Sequence, residues 1–199
     1  MLKKYYTAGR LEAGCDEAGR GSLAGAVFAA AVILPTNYSN NAINDSKVIT
    51  EKQRQELKTI IETNALAWAV AKIDADEIDR VNILKASFMA MNMAVKQLKI
   101  QPDCLLIDGN RFINQTNIPH ICIIKGDATY LSIAAASILA KTYRDDYMKQ
   151  LSSQFPHYGW DKNKGYPTEE HRKAILRYGI TVYHRKSFAL FQPQLKLDL

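Results

Sequence analysis

Three runs of strand-forming residues in this chain stop on acidic side chains, and that pattern restricts the fold more than any other. Leu11 to Glu17 ends on Asp16-Glu17, Cys104 to Ile107 ends on Asp108, and Ile118 to Ile124 is followed by Lys125-Gly126-Asp127. Behind the first run, Gly19, Gly21 and Gly25 permit a tight turn, and Ala26 to Leu34 reads as a buried strand, so the chain opens with a β-hairpin,. In an open sheet with helices, sites form at strand ends. Carboxylates gathered at such a place repel one another and call for a cation. Each acid taken alone also reads as a strand cap or the start of a turn. Neighbouring residues of a regular strand point to opposite faces. Asp16 and Glu17 therefore enter one site only if the chain bends at Ala18-Gly19, or if one of them contributes differently, for example through its backbone carbonyl.

The remaining elements alternate. Pro35 to Asn44 is a loop. Thr50-Glu51-Lys52-Gln53 is a capping box that opens a helix with Leu57, Ile60 and Ile61 on one face,. Leu66, Trp68 and Val70 alternate as a third strand. A second helix carries Leu84, Phe88, Met91, Val95 and Leu98 at core-facing spacing,. A long helix spans about Tyr130 to Leu151, a polar loop runs from Pro156 to Pro167, and a last helix is capped by Thr168 and closed by Gly179,. Strands first, then helix and strand in turn, predict an α/β fold: a mixed β-sheet flanked by helices, with a C-terminal helical part. At 199 residues the chain reads as one domain, 1–199, in which about 152–199 form a helical and loop part with a tail,.

Composition narrows the function. Hydrophobic residues at 47% and charged residues at 23% exclude disordered and membrane classes,. A net charge of +6 suits a polyanionic partner, because Lys and Arg can replace counterions along a phosphate backbone,. Carboxylates at strand ends inside a basic chain suggest metal ions bridging to phosphate; oxygen-only donors select Mg²⁺ or Mn²⁺. The three cysteines, Cys15, Cys104 and Cys122, are far apart in sequence and lie in apolar runs. They read as buried thiols in a reducing cytoplasm, with neither a zinc site nor a disulfide framework. Met1 to Gly14 lacks the pattern of a signal peptide, and Leu23 to Leu34 is too short to span a bilayer,.

Asp16-Glu17-Ala18-Gly19-Arg20-Gly21, followed by Leu23-Ala24-Gly25, resembles the opening signature of type 2 ribonucleases H, the group of the bacterial ribonucleases HII. The resemblance continues at Asn44-Asp45-Ser46-Lys47, Ile107-Asp108-Gly109 and Lys125-Gly126-Asp127. It resumes over Ile133 to Lys141 with Arg144-Asp145, at Gly165-Tyr166-Pro167-Thr168, and at His184-Arg185-Lys186-Ser187-Phe188. These blocks follow family order across nearly the whole chain. The resemblance implies a ribonuclease-H-like fold and four metal-binding acids at Asp16, Glu17, Asp108 and Asp127. It implies two Mg²⁺ or Mn²⁺ ions, and hydrolysis of the RNA strand of RNA–DNA hybrids. It also implies incision on the 5′ side of ribonucleotides embedded in duplex DNA, giving 3′-OH and 5′-phosphate ends. Gly19-Arg20-Gly21 would hold the junction of a ribonucleotide with the next deoxyribonucleotide, Tyr166 would stack on the sugar beyond it, and Ser46 and Lys47 would contact phosphate. Ser22 and Ala26 stand where proline is common in the family, which implies altered stiffness of the turn with its chemistry kept. Glycine backbones can approach a nucleic acid closely, and a 2′-OH can be read by backbone groups without base specificity.

Other residues keep two readings. Lys141 and Arg144 fall on the polar side of the long helix, as phosphate contacts or as partners of acids such as Asp145. Asp145 and Asp146 read as solvated or structural, and Ser137 as helix packing. His184-Arg185-Lys186 is either a groove lining or a solvated turn. Trp160, followed by Lys162 and Lys164, reads as part of a nucleic-acid-facing loop or, first, as a packing anchor,. His120, His157 and His171 show no metal-ligand spacing. Gln194 to Leu199 resembles the short peptide that docks on bacterial DNA sliding clamps, with an edge strand as the plain alternative. The expected molecule is a monomer without membrane contact. Two rivals remain: another nuclease or recombinase of the same fold, and a non-catalytic hybrid-binding protein.

Overall fold

A computed structural model of the chain describes residues 2–44 and 49–191. The predicted hairpin is present: β1, Glu12–Ala18, pairs antiparallel with β2, Val27–Ile33, which pairs antiparallel with β3, Ala67–Ile73. On its other side β1 pairs parallel with β4, Cys104–Asp108, and β4 pairs parallel with β5, His120–Ile123. The sheet order is β3-β2-β1-β4-β5, so β1 lies at its centre, where strand direction changes from antiparallel to parallel.

Helices cover both faces. The predicted capping box forms: the Thr50 hydroxyl accepts from the Gln53 N–H, and the Gln53 side chain accepts from the Thr50 N–H at 2.9 Å, opening α1, Glu51–Asn64. Leu57 and Ile61 of its apolar face are buried, while Ile60 is exposed. Two helices stand where one was expected, α2 (Ala75–Val81) and α3 (Ile83–Lys96). The short polar α2 lacks the apolar period that betrays a helix in sequence. Phe88, Met91 and Val95 of α3 are buried against one sheet face as foreseen. The long helix α4, Leu131–Gln154, lies with α1 on the other face and runs three residues beyond its expected end. The loop expected over 156–167 contains a 3₁₀ turn at Pro156–Tyr158 and a short helix α5, Trp160–Asn163; α6, Glu169–Tyr178, follows. Met148 and Leu151 of α4 join Trp160, Ala174 and Ile175 in a separate C-terminal core. Trp160 is the packing anchor that its sequence context suggested. All three cysteines are free, with Cys15 and Cys104 buried and Cys122 half-buried. Among the described residues, no helix is long and apolar enough to cross a membrane.

The centre of the sheet is thin. β2 is buried at every position and three of its seven residues are alanine, which lets α3 and α4 approach from opposite faces. On β1 the closest approach is at Gly14: a methyl group there would lie 2.2 Å from the Ser132 carbonyl carbon and 2.3 Å from the Ile133 nitrogen, both backbone atoms of α4. Helix backbone cannot swing aside as a side-chain tip can, so overpacking is costly here. We expect Gly14→Ala to destabilise the fold by about 3 kcal/mol or more. Gly21→Ala, at a position with nothing within 4 Å, should change stability by no more than about 0.5 kcal/mol,. Urea unfolding midpoints of the two variants check this; equal midpoints would contradict it.

Candidate active site

Asp16, near the end of β1, and Asp108, at the end of β4, are brought side by side by the parallel pairing of their strands, in which Cys15 faces Ile107. Asp127 arrives from the 3₁₀ turn Gly126–Ala128 that follows β5. One carboxylate oxygen of each acid falls in a group whose members all lie within 4.8 Å of one another. The turn is held in place: the Gly126 N–H donates to Asp108 Oδ1 at 2.7 Å, and the Ala128 N–H to Asp127 Oδ1 at 3.0 Å. Lys125, which leads into it, adopts the left-handed conformation at φ 56°, a strain the surrounding contacts must hold.

Asp16 and Asp127 are buried. Burial, together with the charges of Glu17 and Asp108, pushes the Asp16 carboxyl well above the usual carboxylate range, against hydrogen bonds from the Ser137 hydroxyl and the Glu17 N–H. Two buried carboxylates and one half-buried one, which repel one another and offer only oxygen, fit a hard divalent cation,. Ser137, expected to serve packing, thus donates to the Asp16 carboxylate. It sits on α4, and the alanine-rich stretch around it gives no sequence signal for that contact.

Glu17 stands apart from this group. The β1–β2 ladder continues unbroken to Ala18, so the bend that would turn both acids to one side does not occur before Gly19, whose φ is +95°. Asp16 faces α4, and Glu17 leaves the strand on the other parity. Its Oε1 accepts from Arg20 Nη1 at 2.9 Å. Burial still pushes the Glu17 carboxyl up, opposed by Arg20 and assisted by Asp108.

Beyond Gly19 the turn is shaped by two buried arginines. Arg144 of α4, expected on a polar surface, is fully buried. It donates to the Ala26 carbonyl (3.2 Å), the Ser22 hydroxyl (2.7 Å) and carbonyls of Ala24 (3.4 Å) and Lys164 (2.9 Å). A methyl group on Gly19 would strike its Nε at 1.9 Å, so the glycine is required by contact as well as by φ,. Ser22, one of the two departures from family pattern, supplies an acceptor that proline would lack. Arg185 is equally buried and donates to the carbonyls of Gly25 (3.0 and 2.8 Å) and Arg20 (2.9 Å). Neither a groove lining nor a solvated turn describes it. The Tyr166 ring lies 5.3 Å from the Arg144 guanidinium and 5.9 Å from Lys141 Nζ. Lys141 also pairs with Asp145 at 2.6 Å; that buried acid binds Arg54 of α1 at 3.1 Å, and Asp146 pairs with Lys58 at 3.3 Å, so both acids are structural.

The Tyr166 backbone has a support that the histidine spacing concealed. Its carbonyl oxygen lies 2.9 Å from His171 Nδ1. His171 Nε2 accepts from the Trp160 indole N–H at 3.0 Å and lies 3.3 Å from His184 Nε2. His184 Nδ1 in turn accepts from the Thr181 N–H at 2.9 Å. Every ring nitrogen is used with both imidazoles neutral. The pair is 13 residues apart and meets only when α6 and the segment after it fold together. Ser46, Lys47 and Gln194 to Leu199 lie outside the described residues.

The family model described as Ribonuclease HII matches residues 13–191. A protein named Ribonuclease HII from Parabacteroides distasonis is 61% identical over 197 residues, covering 99% of each chain. Among solved structures, the ribonuclease H2 from Pyrococcus horikoshii OT3 superposes with a TM-score of 0.77 at 23% identity, covering 90% of this chain and 94% of that one. The ribonuclease HII of an Archaeoglobus fulgidus complex with PCNA gives 0.76 at 24% identity, covering 93% and 98%. At those identities the two structures speak for the fold.

The histidine pair gives the support beneath Tyr166 a measurable signature. Burial first, then the neighbouring His171, pushes His184 down to about 4 from an ordinary 6.5. The unfolded chain therefore takes up protons that the folded chain refuses between those values. That contribution to stability is full above about pH 6.5 and is lost as pH falls toward 4. We expect the difference in urea midpoint between the unaltered protein and His184→Gln to shrink as pH is lowered through this window. A constant difference would contradict the assignment.

Proposed function

Because the chain belongs to the ribonuclease HII family, endonucleases of RNA–DNA hybrids, we propose that it also incises duplex DNA on the 5′ side of embedded ribonucleotides, leaving 3′-OH and 5′-phosphate ends. The observation that carries this is the convergence of Asp16, Asp108 and Asp127 within 4.8 Å beside a glycine turn. These three acids would hold two Mg²⁺ or Mn²⁺ ions, with Glu17 joining them. When bound, the ions supply an acidified water and charge stabilisation at the leaving 3′-oxygen. The protein's own residues orient and select. Ser137 and the Gly126 N–H fix the carboxylates of Asp16 and Asp108. Arg144 and Arg185 occupy the carbonyls of residues 20, 24, 25 and 26 from beneath, which holds the Gly19-Arg20-Gly21 backbone toward the substrate side. Backbone groups there can sense a 2′-OH without reading base identity. Tyr166, settled on Arg144 and tied to His171, offers a ring face to the sugar beyond the junction,. The acid cluster needs no covalent nucleophile from the protein.

Ser46 and Lys47 belong to the same reading as phosphate contacts. Gln194 to Leu199 belong to it as a peptide for a DNA sliding clamp; a complex with PCNA carries the Archaeoglobus fulgidus relative. We place the protein in the cytoplasm as a monomer.

Duplex DNA carrying one ribonucleotide, incubated with Mn²⁺, should be cut 5′ to that ribonucleotide, and a chelator should stop the cut. Asp16→Asn or Asp108→Asn should lower the rate by roughly 10³-fold or more while the variants stay folded by circular dichroism. Cutting of plain DNA would favour another nuclease of this fold, and binding without incision would leave only a hybrid-binding role.

A further inference from the structure

The one acid that stays out of the cluster has a cation of its own. Glu17 is 9% exposed and pairs with Arg20, whose side chain is 49% exposed, at 2.9 Å. The main chain of Arg20 is fixed, because its carbonyl accepts from the buried Arg185 at 2.9 Å. Its side chain is the part that can leave. A carboxylate buried beside Asp108 needs a positive neighbour, and Arg20 supplies that charge from the solvent side,. A divalent cation among Asp16, Asp108 and Asp127 would supply the same charge from the opposite side. Arginine and metal therefore compete for one carboxylate. Nucleic acid shifts that competition, since phosphate oxygens match a guanidinium in planar, bidentate fashion.

We infer that Arg20 is a positioning residue for Glu17: it keeps this carboxylate away from the metal cluster until a nucleic-acid phosphate draws the guanidinium off. Metal binding and substrate binding then assist one another, by equal factors in the two directions. The inference rests on the reading of Glu17 as a fourth metal-binding acid.

The test is a titration of the full chain with Mn²⁺ alone, free ion being followed by electron paramagnetic resonance. Arg20→Ala and Arg20→Gln should each tighten Mn²⁺ binding, by about threefold or more for an ion pair that is half exposed. Loss of a positive charge near a dication would tighten binding through space as well. A double-mutant cycle with Glu17→Gln separates the two causes. If Arg20 acts by holding Glu17, the gain disappears in the Glu17→Gln background. No gain from Arg20→Ala, or the same gain in both backgrounds, overturns the inference while leaving the four-acid reading standing. Unchanged Mn²⁺ affinity when Glu17→Gln is added to Arg20→Ala overturns that reading, and the inference with it.

Discussion

Arg144 carries its charge out of solvent, so the fold must provide its hydrogen-bond partners, and the partners provided are those that shape the turn after β1,. Its guanidinium reaches the hydroxyl of Ser22 and the carbonyls of Ala24 and Ala26 on one side, and the Lys164 carbonyl on the other. Gly19 rests on it and Tyr166 faces it. Desolvating a cation costs several kcal/mol, and a second one, Arg185, lies close enough to be pushed down to about 9 by burial and by Arg144,. Two like charges under one turn are a poor way to gain stability. They are an effective way to aim several backbone groups at once, because a guanidinium presents its donors in a rigid plane.

What the sequence disclosed and what it hid follow from the range of the interactions. Capping at Thr50 and Thr168 involves residues three positions apart, and both caps are present. The acids at the ends of β1 and β4 were legible because strand ends of a mixed sheet meet by topology. The burial of Arg144 and Arg185 was not legible, since a charged residue on a helix gives the same pattern whether it faces water or a ring of carbonyls. The His171–His184 contact was equally hidden, because it depends on how the C-terminal part folds back on itself. For Glu17 the sequence posed the right question, that of strand parity. The answer lies in a ladder that runs straight to Ala18 and in a neighbour three residues on.

Close packing at the centre of the sheet links these features to the chemistry. Gly14 admits the backbone of α4 almost into contact with β1, and alanines on β2 keep the layer thin. A helix held at that distance can present a side chain as short as serine to Asp16. A larger residue at Gly14 would lift the helix, and the Ser137 hydroxyl would lose the acid.

Ser137 and Arg144 are seven residues apart on α4, two helical turns, and so project from one side of it with a rise of about 10 Å between them. The first touches Asp16 of the acid cluster, and the second underpins the turn we propose for the junction. The helix is in effect a gauge block, setting how far the acid cluster stands from the glycine turn, and so, on the function proposed, how far the cut stands from the junction. Nothing flexible intervenes along it. A residue inserted between the two would turn one away from its target by about 100° and uncouple the acid cluster from the turn.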